Sequence, residues 1–237
     1  MFYYYGRKKQ IAKYYPKPIF DTIIEPFAGS AAFSLHGDNW EKNIILIEKD
    51  IRVATIWDWL INKATTKDIQ NLPDLKIGDK TSDFFQILHA ATKQAFKYKT
   101  IKVTPVMARN WECSKRYIEK NLHKIKHWKI ICGDYKEAPN VSATWFIDPP
   151  YKGNSGNGYN AGSDSVNYTH LAKWALSRKG QIIFCEGKNG DYLPFKPLLT
   201  LNGVAGKKSE EKIFNCPNLN KENKRNGKQT NLILLLQ

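Results

Sequence analysis

The residues best suited to chemistry form the tetrapeptide Asp148-Pro149-Pro150-Tyr151. The aspartate and a neighbouring backbone carbonyl can both accept hydrogen bonds from an exocyclic NH2 group on an aromatic ring. These bonds favour the pyramidal nitrogen that such an amine needs for nucleophilic attack, because they stabilise the charge that develops on it. The tyrosine offers a face on which a base flipped out of its strand can stack. The alternative is a strand that ends in a turn, with Asp148 as an ordinary turn residue.

The chain before this tetrapeptide predicts a buried strand that leads into it. Residues 141–147 have no helical period and are rich in β-branched and aromatic side chains, as in a central strand of an α/β sheet. The two prolines cannot donate to a sheet ladder, so the strand must end before them. Asp148 then stands at the carboxyl end of the strand, where open α/β sheets bind their ligands.

Composition limits the possible partners and sites. The 237 residues suit one α/β domain with an insertion, and 37 Lys and Arg against 22 Asp and Glu give a formal charge of +15. This excess indicates a polyanionic partner, most simply nucleic acid, although basic proteins without such a partner are common. The four cysteines and five histidines show no metal-ligand spacing, and we expect reduced thiols in a cytosolic protein. We find no signal peptide and no run of membrane-spanning length.

The first predicted strand, residues 20–25, runs into a turn of small residues at 26–33 that we expect to lead into a helix. Gly29 in this turn lets a ligand approach the backbone closely, and a helix N-terminus carries partial positive charge. This geometry can seat the carboxylate of a small ligand. It is not a phosphate-binding loop, because no Gly-Lys-Ser follows.

Two more predicted strands end in acidic residues. Residues 43–48 form the second strand, and a carboxylate at its tip can accept hydrogen bonds from both hydroxyls of a ribose. Glu48 and Asp50 are both candidates, and a solvated loop acid is the third possibility. Residues 129–135 form a strand that ends near Asp134. Asp134 is close in sequence to the corner formed by Pro149 and Pro150, which we call the two-proline corner. This short distance leaves room for at most one helical turn in a crossover between adjacent strands.

The segment between these strands departs from the alternation of strand and helix. After a helix at 51–62 with one apolar face, residues 63–127 contain two basic helices, at about 82–97 and 108–126. Cations in such helices can contact phosphates, which gives affinity without sequence information. A helical lid with a solvated basic face is the alternative.

The residues after the tetrapeptide predict a loop that closes over the site, followed by the last helix and the last strands of the sheet. Residues 152–166 are rich in Gly, Asn and Ser and form a candidate closing loop. Tyr159 or Tyr168 could help to hold a flipped base, and His170 is interpreted as a helix-start residue. The later elements are predicted as a helix at 169–177 and strands at 180–185, 210–214 and 230–236, the last two forming an antiparallel pair.

Taken in order, these motifs resemble those of the Dam-like, N6-adenine-specific DNA methyltransferases of the alpha group. The matching segments are Tyr4 to Lys8, similar to an opening Trp-x-Gly-x-Lys type segment, Glu25 to Ser30 for the first cofactor motif, Gly133 to Tyr135, and Asp148 to Tyr151 for the catalytic motif. Tyr4 stands where the family often has tryptophan, Arg7 where it often has glycine, and Ala31 at the last glycine of the cofactor motif. A disordered basic arm is the alternative interpretation of the N-terminal segment.

This resemblance implies an α/β fold with a Rossmann-like, S-adenosylmethionine-dependent methyltransferase sheet and a small helical insert. The catalytic domain would comprise residues 1–62 and 128–237, with an abbreviated target-recognition region at 63–127. The implied reaction is direct methyl transfer from S-adenosylmethionine to N6 of a flipped adenine, with neither a metal nor a covalent enzyme intermediate. An RNA adenine methyltransferase and a catalytically silent DNA-binding protein on the same fold are the alternatives.

The resemblance also implies a setting and a partner. The partner would be double-stranded DNA, methylated with site-specific or relaxed specificity. The protein would be a monomer or weak dimer in the cytoplasm of a bacterium or a phage-infected host, whether in a restriction system, a phage or a housekeeping pathway.

Roles follow for individual residues from this resemblance and from the basic segments. The catalytic residues would be Asp148, Pro149, Pro150 and Tyr151. The cofactor-binding residues would be Tyr4, Gly6, Lys8, Pro26, Phe27, Ala28, Gly29, Ser30, Ala31, Glu48, Asp134, Tyr135 and Asp148. The nucleic-acid-binding residues would be Lys93, Lys97, Arg109, Lys115, Arg116, Lys224 and Arg225.

Overall fold

The structure, a computed structural model, describes residues 1–4, 6–90, 97–153, 166–202 and 208–217, with the backbone alone at 89, 90, 202 and 208. Its strands are β1 (Thr22–Glu25), β2 (Asn43–Glu48), β3 (Lys80–Thr81), β4 (Ile101–Lys102), β5 (Lys129–Cys132), β6 (Ala143–Ile147), β7 (Gly180–Glu186), β8 (Lys196–Asn202) and β9 (Lys208–Cys216). Its α-helices are α1 (Ile51–Asp58), α2 (Thr66–Gln70), α3 (Phe84–Ala90), α4 (Pro105–Asn121) and α5 (Tyr168–Leu176). Shorter 3₁₀ turns span Ala12–Tyr14, Asn39–Glu41, Leu122–Ile125 and Tyr135–Glu137, and a π-helical turn spans Trp59–Lys63.

Seven of these strands form the central sheet, in the order β5-β2-β1-β6-β7-β9-β8. Strand β9 is antiparallel to both of its neighbours, and the other strands run in one direction. The order reverses between β1 and β6, where Ile24 is paired in register with Trp145. In open α/β sheets the ligand crevice lies at such a reversal, outside the carboxyl ends of the strands. The predicted α/β class is thus confirmed at the level of a mostly parallel sheet.

Burial of side chains on both faces explains why β6 lies at the centre. All five of its residues are buried. Its neighbouring residues Trp145 and Phe146 belong to different hydrophobic clusters, because successive side chains of a strand point to opposite faces. Helix α1 covers one face and buries Val53 and Trp57 fully, as its predicted apolar face requires. Helix α5 covers the other face.

The segment 63–127 packs against the same cluster as α1. Its helices α3 and α4 contribute Phe85 and Trp111, whose rings meet edge to face with centroids 5.4 Å apart. Helix α4 begins at Pro105 because the Thr104 hydroxyl caps it and proline suits the first helical position. The sequence predicts the regions of α3 and α4 but neither α2 nor the small β3–β4 ribbon. Residues 91–96 lie outside the described residues.

The helix expected after β1 does not form, and this part of the prediction is wrong. The backbone makes successive turns instead, one of them closed by a hydrogen bond from Ala31 N to Ala28 O. Gly29 and Ala31 have φ angles of 47° and 48°, in the left-handed region that a right-handed helix cannot contain. Because no helix begins here, a ligand at this position would contact the turn itself and not a helix N-terminus.

Two strand predictions also need correction. Strands β5 and β6 are not adjacent, because β2 and β1 lie between them, although one 3₁₀ turn is indeed the only helix of that crossover. The predicted strand at 210–214 belongs to β9, and its two neighbours are β7 and β8. The segment 230–236, its predicted partner, lies outside the described residues. Strand β8 was not predicted because it contains Pro197, and proline in a strand is tolerated mainly at the edge of a sheet.

Among the described helices, none combines the length and apolarity that crossing a membrane requires.

Candidate active site

A cavity of about 300 Å³ opens at the reversal of strand order. Every residue predicted to bind a cofactor lines this cavity. The N-terminal segment and the residues that follow β1, β2, β5 and β6 all contribute to its wall. Arg7, Glu25, Phe146 and Pro150 line it as well. The volume lies at the lower end of the range for small-molecule sites.

The turn after β1 is held in place from three sides. Gly29 N donates to Glu48 Oε2 at 3.0 Å, and Gly29 O accepts from Trp57 Nε1 at 2.8 Å. A β-carbon on Gly29 would lie 3.0 Å from the ring of Tyr4, which is tighter than ordinary contact. Glycine is therefore needed at this position both for its φ angle and for the approach of Tyr4.

Glu48 and Asp50, the two alternatives at the tip of β2, have different partners. Glu48 is buried and accepts backbone N–H bonds from Gly29 and Asp50, the latter at 2.9 Å. Burial raises the pKa of Glu48 to about 7, against the opposing effect of those two bonds. Asp50 caps α1 and binds the Arg52 guanidinium at 2.7 and 3.0 Å. Each Glu48 oxygen has a second acceptor site, so Glu48 is the better placed of the two for further hydroxyls.

A pair of stacked rings forms another part of the wall. The rings of Phe27 and Tyr135 stack with centroids 5.4 Å apart, and Tyr135 OH lies 2.8 Å from His170 Nδ1. Burial raises the pKa of Tyr135 to about 12. Asp134 caps the 3₁₀ turn that follows β5 and lies 3.3 Å from Lys49 Nζ. His170 is in the first turn of α5, as predicted, and it orients a ring of the cavity.

Glu25 is a buried acid of the cavity that belongs to the segment matching the first cofactor motif but was not predicted to bind the cofactor. Its Oε1 accepts from Ser34 N at 2.8 Å and from Ser34 Oγ at 2.5 Å. Burial raises the pKa of Glu25 to about 7. The N-terminal ammonium of Met1 is also buried and donates to Ser30 O at 2.8 Å. Glu25 stands next to the Pro26-Phe27 segment in sequence, and that position was the only signal that could have identified it.

Asp148 is paired with a lysine from the N-terminal segment. Lys8 Nζ lies 2.7 Å from Asp148 Oδ1, and the lysine is only 6% exposed. The same ammonium donates to Gly6 O at 3.2 Å and lies 4.5 Å from the centroid of the Tyr151 ring. Burial raises the pKa of Asp148, and Lys8 opposes this rise by stabilising the carboxylate. The residue predicted to cover a cofactor therefore also touches the predicted catalytic acid.

Tyr151 is held by residues that the sequence did not single out. Its hydroxyl donates to Glu211 Oε1 at 2.5 Å, and Tyr15 OH donates to the same oxygen at 2.5 Å. Tyr168 OH donates to Pro150 O at 2.8 Å and so fixes the two-proline corner. Pro149 is buried within that corner. The other tyrosine considered, at position 159, lies outside the described residues.

The predicted nucleic-acid contacts divide into three groups. Lys97, Arg109 and Arg116 are exposed. Lys115 is a correction: it is only 9% exposed, and its ammonium binds Asp74 and Glu112, so it stabilises the insert and does not face a partner. The remaining members of the set, Lys93, Lys224 and Arg225, lie outside the described residues.

A second cavity of about 450 Å³ adjoins the first and shares Arg7 with it. The Arg7 guanidinium lies 4.5 Å from the ring centroid of Tyr3, and Lys9 Nζ lies 4.4 Å from that of Tyr117. Of the described residues that line this cavity, none is acidic. Burial and the nearby Arg7 lower the pKa of Lys9. The cavity is thus suited to an anion.

The described part of the chain holds no cluster of three or more His, Cys, Asp or Glu side chains that could bind a metal ion.

The sequence matches no protein-family model, and no curated protein is significantly similar to it. The contacts within the two cavities are therefore the basis for assigning a function.

Proposed function

We propose that the protein is an S-adenosylmethionine-dependent methyltransferase that methylates N6 of adenine in DNA. The observation that carries this proposal is the common cavity at the strand reversal. The acidic end of the Asp148-Pro149-Pro150-Tyr151 corner opens into the same space as the Gly29 turn and Glu48. A reacting amine beside Asp148 would thus lie next to any ligand held by the turn.

The donor and acceptor groups of the cavity fit S-adenosylmethionine. Its ribose would bind Glu48, and its adenine would lie against Phe27 and Tyr135, near the carboxylate of Asp134. Its amino acid part would lie along the Gly29 turn. The buried carboxylates of the cavity complement the ammonium and sulfonium charges of this ligand. When bound, the sulfonium supplies an electrophilic methyl group with a neutral leaving group.

The protein's part in the transfer is positioning and electrostatic stabilisation. The Asp148 carboxylate would accept a hydrogen bond from the adenine NH2 and stabilise the positive charge that develops on this nitrogen. Lys8 supports this role because it favours the ionised form of Asp148. Tyr151 would present its ring to the flipped base, and its ring is already fixed through its hydroxyl. An aspartate at this position favours adenine, since the related cytosine N4 enzymes often have serine first.

Two features support a nucleic acid as the partner. The insert exposes Lys97, Arg109 and Arg116, and the second cavity presents Arg7 and Lys9 without an acidic neighbour in its described wall. Because Arg7 lines both cavities, a phosphate bound in the second would lie beside a base that enters the first. The formal charge of +15 adds long-range attraction for a polyanion.

The direct test is transfer of radiolabelled methyl from S-adenosylmethionine to unmethylated double-stranded DNA and, separately, to RNA. Products are digested to nucleosides, and we expect N6-methyldeoxyadenosine. Label in RNA alone would replace the partner with RNA. Cofactor binding without label in either acceptor would refute the assigned acceptor, and failure to bind the cofactor would favour a silent DNA-binding protein.

The first predicted variant is Asp148→Ala. We expect methyl transfer to fall by about 10²-fold to 10³-fold or more, since the variant loses its acceptor for the developing charge. Binding of S-adenosylmethionine, measured by calorimetry, should remain detectable. Asp21→Ala is the matched control because Asp21 is fully exposed before β1. Equal turnover by the Asp148 variant and the control would refute the assigned role.

A further inference from the structure

Glu211 joins three distant parts of the chain at the back of the proposed site. It lies on β9 and is only 4% exposed. Its Oε1 accepts hydrogen bonds from Tyr15, 196 residues away, and from Tyr151, 60 residues away. Both bonds measure 2.5 Å, within the short range of O–H···O bonds to a carboxylate. A single oxygen atom thus receives both tyrosine hydroxyls.

The surroundings of Glu211 act on its charge in both directions. Burial raises the pKa of Glu211, and the nearby Asp148 carboxylate adds to this rise. The Lys8 ammonium and the bonds from the two tyrosines oppose it. Burial also raises the pKa of Tyr151 well above its usual value, so this phenol is a donor at all physiological pH. A carboxylate that accepts from two neutral phenols satisfies all the groups at this junction.

Each tyrosine leads to a different part of the site. Tyr151 belongs to the two-proline corner, and its ring is confined on one side by Gly187, where a β-carbon would lie 2.9 Å from it. Tyr15 follows the 3₁₀ turn of the N-terminal segment and packs edge to face on Phe146 with centroids 5.1 Å apart. That same N-terminal segment carries Tyr4, Gly6 and Lys8 into the cavity.

We propose that Glu211 is a positioning residue that orients Tyr151 for the base and, through Tyr15, anchors the N-terminal segment over the cofactor. This inference rests on the proposed function. Glu211 lines neither cavity and acts on the base and on the N-terminal segment through the two tyrosines. Its effect on the reaction should therefore divide into two measurable parts, one for each hydroxyl.

Three substitutions separate these parts. Tyr151→Phe should lower kcat by about 10-fold to 100-fold with little change in the cofactor Kd, because it removes the bond that orients the base-stacking ring and the support that the hydroxyl gives to the Asp148 carboxylate. Tyr15→Phe should raise the cofactor Kd several-fold with a smaller change in kcat. Glu211→Gln keeps the shape of the side chain but replaces a charged acceptor with a neutral one, which weakens both bonds, and it should show both effects. Glu210→Gln is the matched control, since Glu210 is the exposed neighbour on the same strand.

A double variant tests whether Glu211 acts through Tyr151. The loss of kcat in Glu211→Gln/Tyr151→Phe should be no larger than in the more severe single variant, because both changes act on the same bond, which Gln weakens and Phe removes. If the two fold-losses multiply, or if Glu211→Gln behaves like the Glu210→Gln control, the proposal is overturned.

A measurement without catalysis distinguishes this proposal from the proposed function. Fluorine NMR of protein labelled with 3-fluorotyrosine, with the Tyr151 resonance assigned by Tyr151→Phe, reports the ring directly. We expect this resonance to shift in Glu211→Gln and to stay in place in Glu210→Gln. An unchanged resonance would refute the positioning role. A shifted resonance together with no methyl transfer by the unsubstituted protein would refute the proposed function and leave Glu211 as the residue that orients Tyr151.

Discussion

One lysine stabilises two buried acids in the proposed site. Lys8 lies 2.7 Å from Asp148 and also favours the ionised form of Glu211. Burial acts in the opposite direction on both acids, since it disfavours a charge away from water. The ionisation of Asp148 therefore depends on this cation, on Glu211 and on Tyr151, which face it from the N-terminal segment, β9 and the two-proline corner.

Removal of this cation should change the pH dependence of methyl transfer. In Lys8→Gln the pKa of Asp148 should rise further, because burial remains and the opposing charge is gone. Since the reaction requires the carboxylate, activity is lost as pH falls through this pKa. The acidic limb of kcat should therefore move to higher pH, which a pH series of single-turnover rates would measure.

Lys13→Gln is the control for that experiment. Lys13 belongs to the same N-terminal segment, is exposed, and lies 5.0 Å from the ring centroid of Tyr14. Its substitution removes the same charge without touching Asp148 and should leave the acidic limb in place. A limb that does not move in Lys8→Gln would contradict the role given to Lys8.

At the residue scale, the sequence could identify groups within a motif but not their partners. Asp148 and Lys8 stand in separate motifs, and only the folded chain brings them into contact. Glu211 and Tyr15 have no motif of their own, so nothing in the sequence could connect them to Tyr151. Lys115 was wrongly predicted to contact nucleic acid, because the charge of a helical residue does not reveal whether it lies on the buried face of the helix.

The turn after β1 is the element whose geometry most affects the cavity. Gly29 and Ala31 both have left-handed φ angles, although only one of them is glycine. Gly29 N binds Glu48, and its α-carbon is close to Tyr4. The position of the backbone that lines the cavity therefore depends on two residues in a conformation that L-amino acids rarely adopt.

Opposite substitutions in this turn should have opposite effects. Gly29→Ala should destabilise the protein by about 1 to 2 kcal/mol through backbone strain alone, with a further cost from the ring of Tyr4. It should also weaken cofactor binding. Ala31→Gly relieves the same strain and should leave stability unchanged or slightly higher. Chemical denaturation and calorimetry measure both effects, and destabilisation by both variants would contradict the strain argument.

At the element scale, strands are predictable where they are buried on both faces. Strands β2 and β6 have continuous apolar sequences, and their regions are predicted correctly. The helix after β1 is predicted wrongly because the left-handed angle of Ala31 leaves no trace in its residue type. Strand β8 is missed because its proline is compatible with a strand only at an edge, and edge position is a property of the whole sheet.

On the scale of the whole molecule, positive charge is exposed on the insert and lines the second cavity. The exposed cations of the insert and the Arg7–Lys9 pair of the second cavity belong to segments far apart in sequence. The sequence predicted a polyanionic partner from total charge, but it could not place Lys9 beside Tyr117 of α4. That placement requires the insert to pack against the N-terminal segment.

Salt dependence of DNA binding tests this arrangement. Lys9→Gln should weaken binding to a double-stranded oligonucleotide and reduce the slope of log K against log salt by about 0.9, the value for one phosphate contact. Lys13→Gln, which removes the same charge outside the cavity, should leave the slope unchanged. Fluorescence anisotropy at several salt concentrations measures both, and equal changes in the two variants would indicate only a general effect of net charge.

The junction at Glu211 also determines when the site can be completed during synthesis. Tyr15 leaves the ribosome 196 residues before its acceptor, which at common translation rates is a delay of about 10 to 40 s. For the last 60 residues of this interval, the nascent chain holds a two-proline corner without the carboxylate that orients its tyrosine. The site is therefore completed only after β9 has been translated and has joined the sheet.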